Sequence, residues 1–394
     1  MSLPNGDWNY PTTIKAGPGR IGELPHYCRV AGMSAPLLVT DPGLSQQPMV
    51  LRAIDACRAA GLRIACFDGI KGNPTSGNVA DGVAVLREGG HDGVIAFGGG
   101  SALDAGKAIA LMAHQTGALW DYEDVGTQFE RVDVAAMVPV IAVPTTSGTG
   151  SEVGRASVIT DETAHRKRFI FHPKMLPGLV ILDPELTVGL PVHLTAATGM
   201  DALSHNLEAY CAPGFHPMAS GIALEAMRLI SIYLPRAVEN GQDLEARYYM
   251  LVASAMGATA FQRGLGAMHA LAHPLGARYD AHHGLLNAIL MPYVLQVNRE
   301  AIEAPLARLA RHLRLNEESS QGVIDWVIDL RRRFGIAHTL AEIDIAADAA
   351  GAVGEEAAAD PSAASNPVDL GAARYQALFE DAVQGRLELQ RPGI

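Results

Sequence analysis

The stretch DGVIAFGGGSALDAGKAIALMA, Asp92–Ala113, decides the fold. Val94–Phe97 is a continuously apolar run of the kind that forms strands buried on both faces. It leads directly into Gly98, Gly99 and Gly100, and Ser101 then stands where it would N-cap an amphipathic helix. Glycines admit an anion to the backbone without an intervening Cβ, and a helix N-terminus offers unpaired N–H groups at a positive dipole end. Strand, glycine loop and helix in succession predict a phosphate-binding turn. It is not a Walker A loop, because one residue too many separates Gly100 from Gly106–Lys107 and Ala108 replaces the required hydroxyl.

The same alternation continues on both sides. APLLVTD (35–41) precedes the helical pattern QPMVLRAIDACRAAG (47–61), LRIACFDG (62–69) precedes NVADGVAVLREGG (78–90), and VPVIAV (138–143) follows the central stretch. Strands alternating with helices predict a parallel sheet wrapped by helices. The last of these strands opens a second loop, PTTSGTGSEVG (144–154), rich in hydroxyls and glycine, which can converge with the first on one ligand at the C-terminal edge of the sheet.

A rival glycine motif lies upstream. GPGRIG (17–22) satisfies G-x-G-x-x-G, with Asp41 about twenty residues further on. Its context argues against it. YPTTIKA (10–16) is short and polar, and Pro25 falls in the first turn of the helix that would follow. GPGRIG is therefore expected to be a turn without pyrophosphate contact, with Gly98–Ser101 as the phosphate loop.

Beyond about Pro191 the β signal ends and helical patterns fill the chain, which puts a boundary at LDPELTVGLP (182–191). Within the helical part, Asp201 and His205 are four apart and share a helix face, as do His269 and His273, and His283 follows in YDAHHGLLN (279–287). One carboxylate and several imidazoles in apolar segments suit a borderline divalent ion such as Fe²⁺ or Zn²⁺. Ala270 after His269 rules out a zincin HExxH motif. Spacing does not say which four ligate, and the remaining histidine would serve as a supporting or proton-relay group.

Composition narrows the partners. The 394 residues carry a net charge of −12, which repels nucleic acid and anionic membranes. No apolar run reaches membrane-spanning length, the N-terminus has no signal-peptide pattern, and four scattered cysteines without CxxC point to neither disulfides nor a Cys zinc site. The expected location is the cytoplasm.

Taken together, GGGSALDAGKA, PTTSGTGSEV, LPGLVILDPELT, ATGMDALSHNLEAY and GLGAMHALAHPLGARYDAHHGLLNAILMPYV resemble the iron-containing (group III) alcohol dehydrogenase family, in order and over nearly the whole chain. The resemblance implies an α/β dinucleotide-binding domain over 1–190 and an all-α metal-binding domain over 191–394, with the active site in the cleft between them. It implies Asp201, His205, His269 and His283 as metal ligands and His273 as the catalytic, non-ligating histidine. It puts the pyrophosphate on Gly99, Gly100 and Ser101 with Asp104 close by. Thr145, Thr146, Thr149, Ser151, Lys167 and Asn73 would line the cofactor, and Asp41 would meet the adenosine ribose. A carboxylate at that position repels a 2′-phosphate, so NAD is expected over NADP.

The implied activity is reversible, metal-dependent oxidation of a primary alcohol to its aldehyde with NAD, in a homodimer or larger homo-oligomer. The interval Phe261–His269 is similar to that of members acting on ω-hydroxy acids such as 4-hydroxybutyrate. It places Phe261 and Arg263 near the substrate, where the Arg263 fork suits a carboxylate. Glycerol dehydrogenases and enzymes of dehydroquinate synthase-like architecture are the alternatives on the same fold. A non-catalytic nucleotide- or metal-binding protein is the alternative outside enzymes.

Overall fold

The computed structural model describes residues 12–164 and 166–387. They form two compact units. One comprises 12–191 with 240–259, and the other comprises 192–239 with 260–387.

The first unit holds eight strands: β1 (Thr13–Ala16), β2 (Pro36–Val39), β3 (Ala65–Phe67), β4 (Gly93–Gly98), β5 (Val140–Pro144), β6 (Ala156–Asp161), β7 (Arg166–Phe171) and β8 (Leu179–Leu182). Six make a parallel sheet in the order β1-β8-β5-β4-β2-β3, and β6 pairs with β7 as an antiparallel hairpin. Every residue of β4 and β5 is buried, as their unbroken apolar runs require. The sheet is wrapped by α1 (Leu24–Val30), α2 (Pro42–Ser45), α3 (Pro48–Ala59), α4 (Ser76–Glu88) and α5 (Gly100–Met112). Leu24, Val50 and Ile54 from the helices pack with Leu38, Ile95, Phe97 and Ile141 from the strands. Full burial of each such side chain contributes about 1.5–3 kcal/mol.

Register sets the site. Gly98 pairs with Pro144 and Val39 with Ala96, so the ends of β2, β4 and β5 lie side by side at one edge of the sheet. Asp41, the glycine loop and the threonine loop all start there.

The second unit is helical: α6 (Val192–Cys211), α7 (Pro217–Glu239), α9 (Ala267–Tyr279), α10 (His283–Leu313), α11 (Ser320–Arg333), α12 (Ala350–Ala359) and α13 (Gly371–Gln384). The helix between α7 and α9, α8 (Leu244–Ala260), lies almost wholly in 240–259 and packs in the first unit. Buried Arg247 fastens it there by donating to the carbonyls of Gly241 (3.0 Å) and Leu190 (3.3 Å). Among the described residues no helix is long and apolar enough to cross a membrane.

Candidate metal centre and nucleotide loops

The candidate nucleotide loops are built by the strand ends. Gly98 has φ 150°, a conformation open to glycine, and turns the chain as β4 ends. The helix therefore starts two residues earlier than the sequence suggested. Its N-cap is Gly99, not Ser101, and no side chain caps it. Ser101 lies within the first turn. Thr146 lies against Gly99 and Thr149 against Gly100, so the two loops touch. Thr145 is buried and donates its N–H to the Gly98 carbonyl (2.9 Å).

Asp41 N-caps α2, accepting from Leu44 N–H at Oδ1 (3.0 Å), and its other oxygen lies 3.7 Å from where a Cβ at Gly98 would stand. Asn73 adopts the left-handed region at φ 53°, which asparagine tolerates. Pro74, next to it, accepts from Thr160 N–H (2.7 Å), and Thr160 pairs with Lys167 across β6–β7. Asn73 thus adjoins the residue that bonds the hairpin carrying Lys167.

Asp104 and Ser151 turn toward each other. Asp104 accepts from Ser151 Oγ (2.5 Å) and Val158 N–H (3.1 Å), and it pairs with Lys107 Nζ (3.2 Å). Lys107, which no motif singled out as functional, is fully buried and also donates to the Ala156 carbonyl. Beside it lies Glu152, 1% exposed, with Oε1 lacking a hydrogen-bond partner. Burial pushes the Glu152 carboxyl up to about 7, against the pull of a backbone N–H and Lys107. Between its ordinary 4.5 and about 7 the folded chain holds a proton that the unfolded chain has lost. Stability should therefore fall as pH rises through that window and level off above it, by about 3 kcal/mol at most. The Glu152→Gln variant is expected to remove this slope in urea titrations between pH 4.5 and 8, and an unchanged slope would refute the assignment.

GPGRIG does bind an anion, one supplied by the protein. Gly19 N–H donates to Asp183 Oδ1 (3.2 Å) and Ile21 N–H to Asp183 Oδ2 (2.9 Å). Asp183 is fully buried, and these donors are spent on it.

In the helical unit, Asp201, His205, His269 and His283 each present one ligand atom, all within 4.8 Å of one another. The first two come from one face of α6, His269 from the first turn of α9 and His283 from the start of α10. Asp201, His205 and His269 are buried, and His283 is half-buried. Gly284 makes this convergence possible, because a Cβ there would lie 2.5 Å from the Ala197 carbonyl and 3.0 Å from Asp201 Cβ. His282 caps α10, accepting from Leu285 N–H at Nδ1 (3.3 Å).

The residues fit a divalent ion. Asn287 Nδ2 lies 2.8 Å from Asp201 Oδ1 and 3.2 Å from both His269 Nε2 and His283 Nε2, while its buried Oδ1 has no partner. Two amide hydrogens cannot serve three acceptors. One carboxylate and three imidazoles converging on one point are instead a donor set for Fe²⁺ or Zn²⁺.

Two carboxylates behind the histidines escaped the sequence reading. Glu208 accepts from His269 Nδ1 (2.6 Å) and Asp360 from His273 Nδ1 (2.8 Å). Glu208 was detectable, seven residues after Asp201 on the same helix face, as was Asn287, four after His283. Asp360 carried no local signal. Burial opposes charge on His269, but the Glu208 carboxylate outweighs it and holds the imidazole above its ordinary value. Burial likewise opposes charge on Asp360, but His273 and the Ser362 N–H hold it below the usual carboxylate range.

Phe261 places its ring 5.4 Å from that of His205. Arg263 donates to the carbonyls of Gly214 (2.8 Å) and Tyr210 (3.1 Å) and to Ser220 Oγ (2.7 Å). Three of its five N–H groups are thereby engaged, which leaves Nη2 rather than the two-nitrogen fork.

Comparison with known proteins agrees with this architecture. Residues 11–184 match the family model of iron-containing alcohol dehydrogenase, and residues 195–383 match that of the Fe-containing alcohol dehydrogenase family, C-terminal. The 4-hydroxybutyrate dehydrogenase of Cupriavidus necator is 40% identical, over 95% of this chain and 99% of that protein. The 1,3-propanediol dehydrogenase of Klebsiella pneumoniae is 36% identical, over 97% and 100%. A crystal structure of a 1,3-propanediol oxidoreductase superposes with a TM-score of 0.91 at 36% identity, covering 95% of this chain and 99% of that one. Sulfoacetaldehyde reductase from Bifidobacterium kashiwanohense, solved in complex with NAD⁺, gives 0.86 at 28%, covering 99% and 100%. On these grounds the chain belongs to the iron-containing alcohol dehydrogenase family and is an alcohol oxidoreductase of that type, in a family that implies a divalent metal and NAD(H).

Proposed function

We propose that the protein interconverts a primary alcohol and its aldehyde with NAD, and that ω-hydroxy acids such as 4-hydroxybutyrate are its preferred substrates. The convergence of Asp201, His205, His269 and His283 carries the reading. When bound, a divalent ion supplies Lewis acidity toward the substrate oxygen and NAD supplies the hydride acceptor. Those four residues would hold the ion, with Fe²⁺ favoured and Zn²⁺ accepted by the same donors.

Gly99, Gly100 and Ser101, at the start of α5, would hold the pyrophosphate on backbone N–H groups. Asp41 would accept from the ribose hydroxyls, and Thr145, Thr146, Thr149, Asn73 and Lys167 would line the rest. Ser151 and Asp104 act by bracing the loops, through the hydrogen bond between them. With Nδ1 engaged by Asp360, a proton exchanged at His273 passes through Nε2. Phe261 beside His205 shields the reacting oxygen from water.

The substrate class is supported by the relative named 4-hydroxybutyrate dehydrogenase and by the partial burial of Arg263, which donates to two carbonyls and a hydroxyl. Its Nη2 would meet a substrate carboxylate end-on. The reading also takes the protein as a cytoplasmic homodimer or larger. Four free cysteines suit a reducing compartment.

The test is NADH absorbance over a panel of 1-butanol, 1,3-propanediol and 4-hydroxybutyrate after Fe²⁺ or Zn²⁺ reconstitution. A charge-assisted hydrogen bond of about 1.5–3 kcal/mol should raise kcat/KM for the hydroxy acid about tenfold or more over butanol. No NADH from any alcohol in metal-loaded protein would end the reading, and equal rates would end the substrate assignment alone.

A further inference from the structure

Glu208 is a buried carboxylate, 6% exposed, in a unit where ionic groups need specific partners. It shares the α6 face of Asp201 and His205. Its oxygens accept from three donors: His269 Nδ1 (2.6 Å), Gly266 N–H (2.9 Å) and Met268 N–H (2.7 Å). Gly266 is the N-cap of α9 and Met268 is in its first turn, so the carboxylate also sits at the positive end of that helix.

The two backbone donors fix the carboxylate, and the carboxylate fixes the ring. An imidazole that gives its Nδ1 hydrogen to Glu208 keeps its lone pair at Nε2, the atom that faces Asp201, His283 and Asn287. A negative charge behind the ring also strengthens it as a donor.

We propose that Glu208 is a positioning residue for the divalent ion, setting the His269 tautomer and the affinity of the site. The proposal rests on the metal reading above. A purely structural reading, in which Glu208 only caps α9, predicts lost folding stability with no specific effect on the ion.

The experiment is chelator-competition titration of the full-length apoprotein with Zn²⁺, and with Co²⁺ followed by its visible spectrum, in wild type, Glu208→Gln and Glu208→Asp. Glutamine keeps the size and loses the charge, and should weaken metal binding about 10- to 100-fold, with the NADH dissociation constant unchanged. Aspartate keeps the charge and should fall between the two. Equal Zn²⁺ affinity and an identical Co²⁺ spectrum in folded Glu208→Gln would overturn the proposal. Wild-type protein that binds neither ion would overturn the metal reading instead. Should the variants not fold, ¹⁵N-histidine NMR of Zn²⁺-loaded wild type decides. A proton on His269 Nδ1 supports the proposal, and a proton on Nε2 refutes it.

Discussion

Replacing His283 with alanine is expected to abolish metal retention and lower kcat/KM by about a thousandfold or more. Lewis-acid stabilisation of a developing alkoxide is worth several kcal/mol, and each 1.4 kcal/mol is about tenfold in rate. His283 suits the test because its removal is expected to spare the fold. It is half-buried at the start of α10, whose cap is the neighbouring His282. Its Nε2 lies 3.8 Å from Asp201 Oδ1, so the substitution removes one wall of the ligand cluster. Circular dichroism should be unchanged while bound metal, measured by elemental analysis, drops. Full turnover with an empty site would sink the metal mechanism. The glycine and threonine loops proposed to hold the nucleotide lie in the other unit, so NADH binding should persist, which separates loss of the ion from general collapse.

The Asp41→Asn variant is expected to narrow the preference for NAD over NADP by about a hundredfold in the ratio of kcat/KM values. A carboxylate facing a 2′-phosphate is a like-charge contact that costs several kcal/mol. Asparagine is the informative replacement because Asp41 also caps α2 through Oδ1, and asparagine caps helices about as well as aspartate. The substitution therefore removes charge and keeps the local structure. Steady-state kinetics with both nucleotides reads the outcome. An unchanged ratio would mean that Asp41 serves α2 alone, and that the geometry beside Gly98 has no bearing on the ribose.

Much of this was legible beforehand because periodicity reports burial. VIAF and VIAV read as strands buried on both faces, and β4 and β5 are adjacent strands buried along their whole length. The Asp201–His205 pair read as one helix face, and α6 carries it. The start of α5 was misplaced by two residues, because Ser101 is the better capping side chain while the turn at Gly98 determines where the helix begins. Arg263 was read from the family-like interval Phe261–His269 and from the chemistry of its planar fork. Its engagement with Tyr210, Gly214 and Ser220 depends on backbone atoms whose positions no local pattern contains.

GPGRIG marks the limit most clearly. The letters specify a turn with inward N–H groups, and the structure has such a turn. Which anion occupies it was settled by Asp183, 164 residues from Gly19 in the chain. The same holds for Asp360 behind His273, 87 residues away, and for α8, whose place in the first unit depends on contacts such as Arg247 with Leu190. By itself the sequence determined the alternation of strands and helices, the glycine and threonine loops and the Asp201–His205 and His269–His273 helix-face pairs, because these follow from neighbours within a few turns of one chain segment, whereas the packed helices brought Asp201, His205, His269 and His283 together. Only the tertiary structure decided which carboxylate faces which donor, because a buried charge takes its partner from whatever the packed core places within hydrogen-bond reach, regardless of separation along the chain.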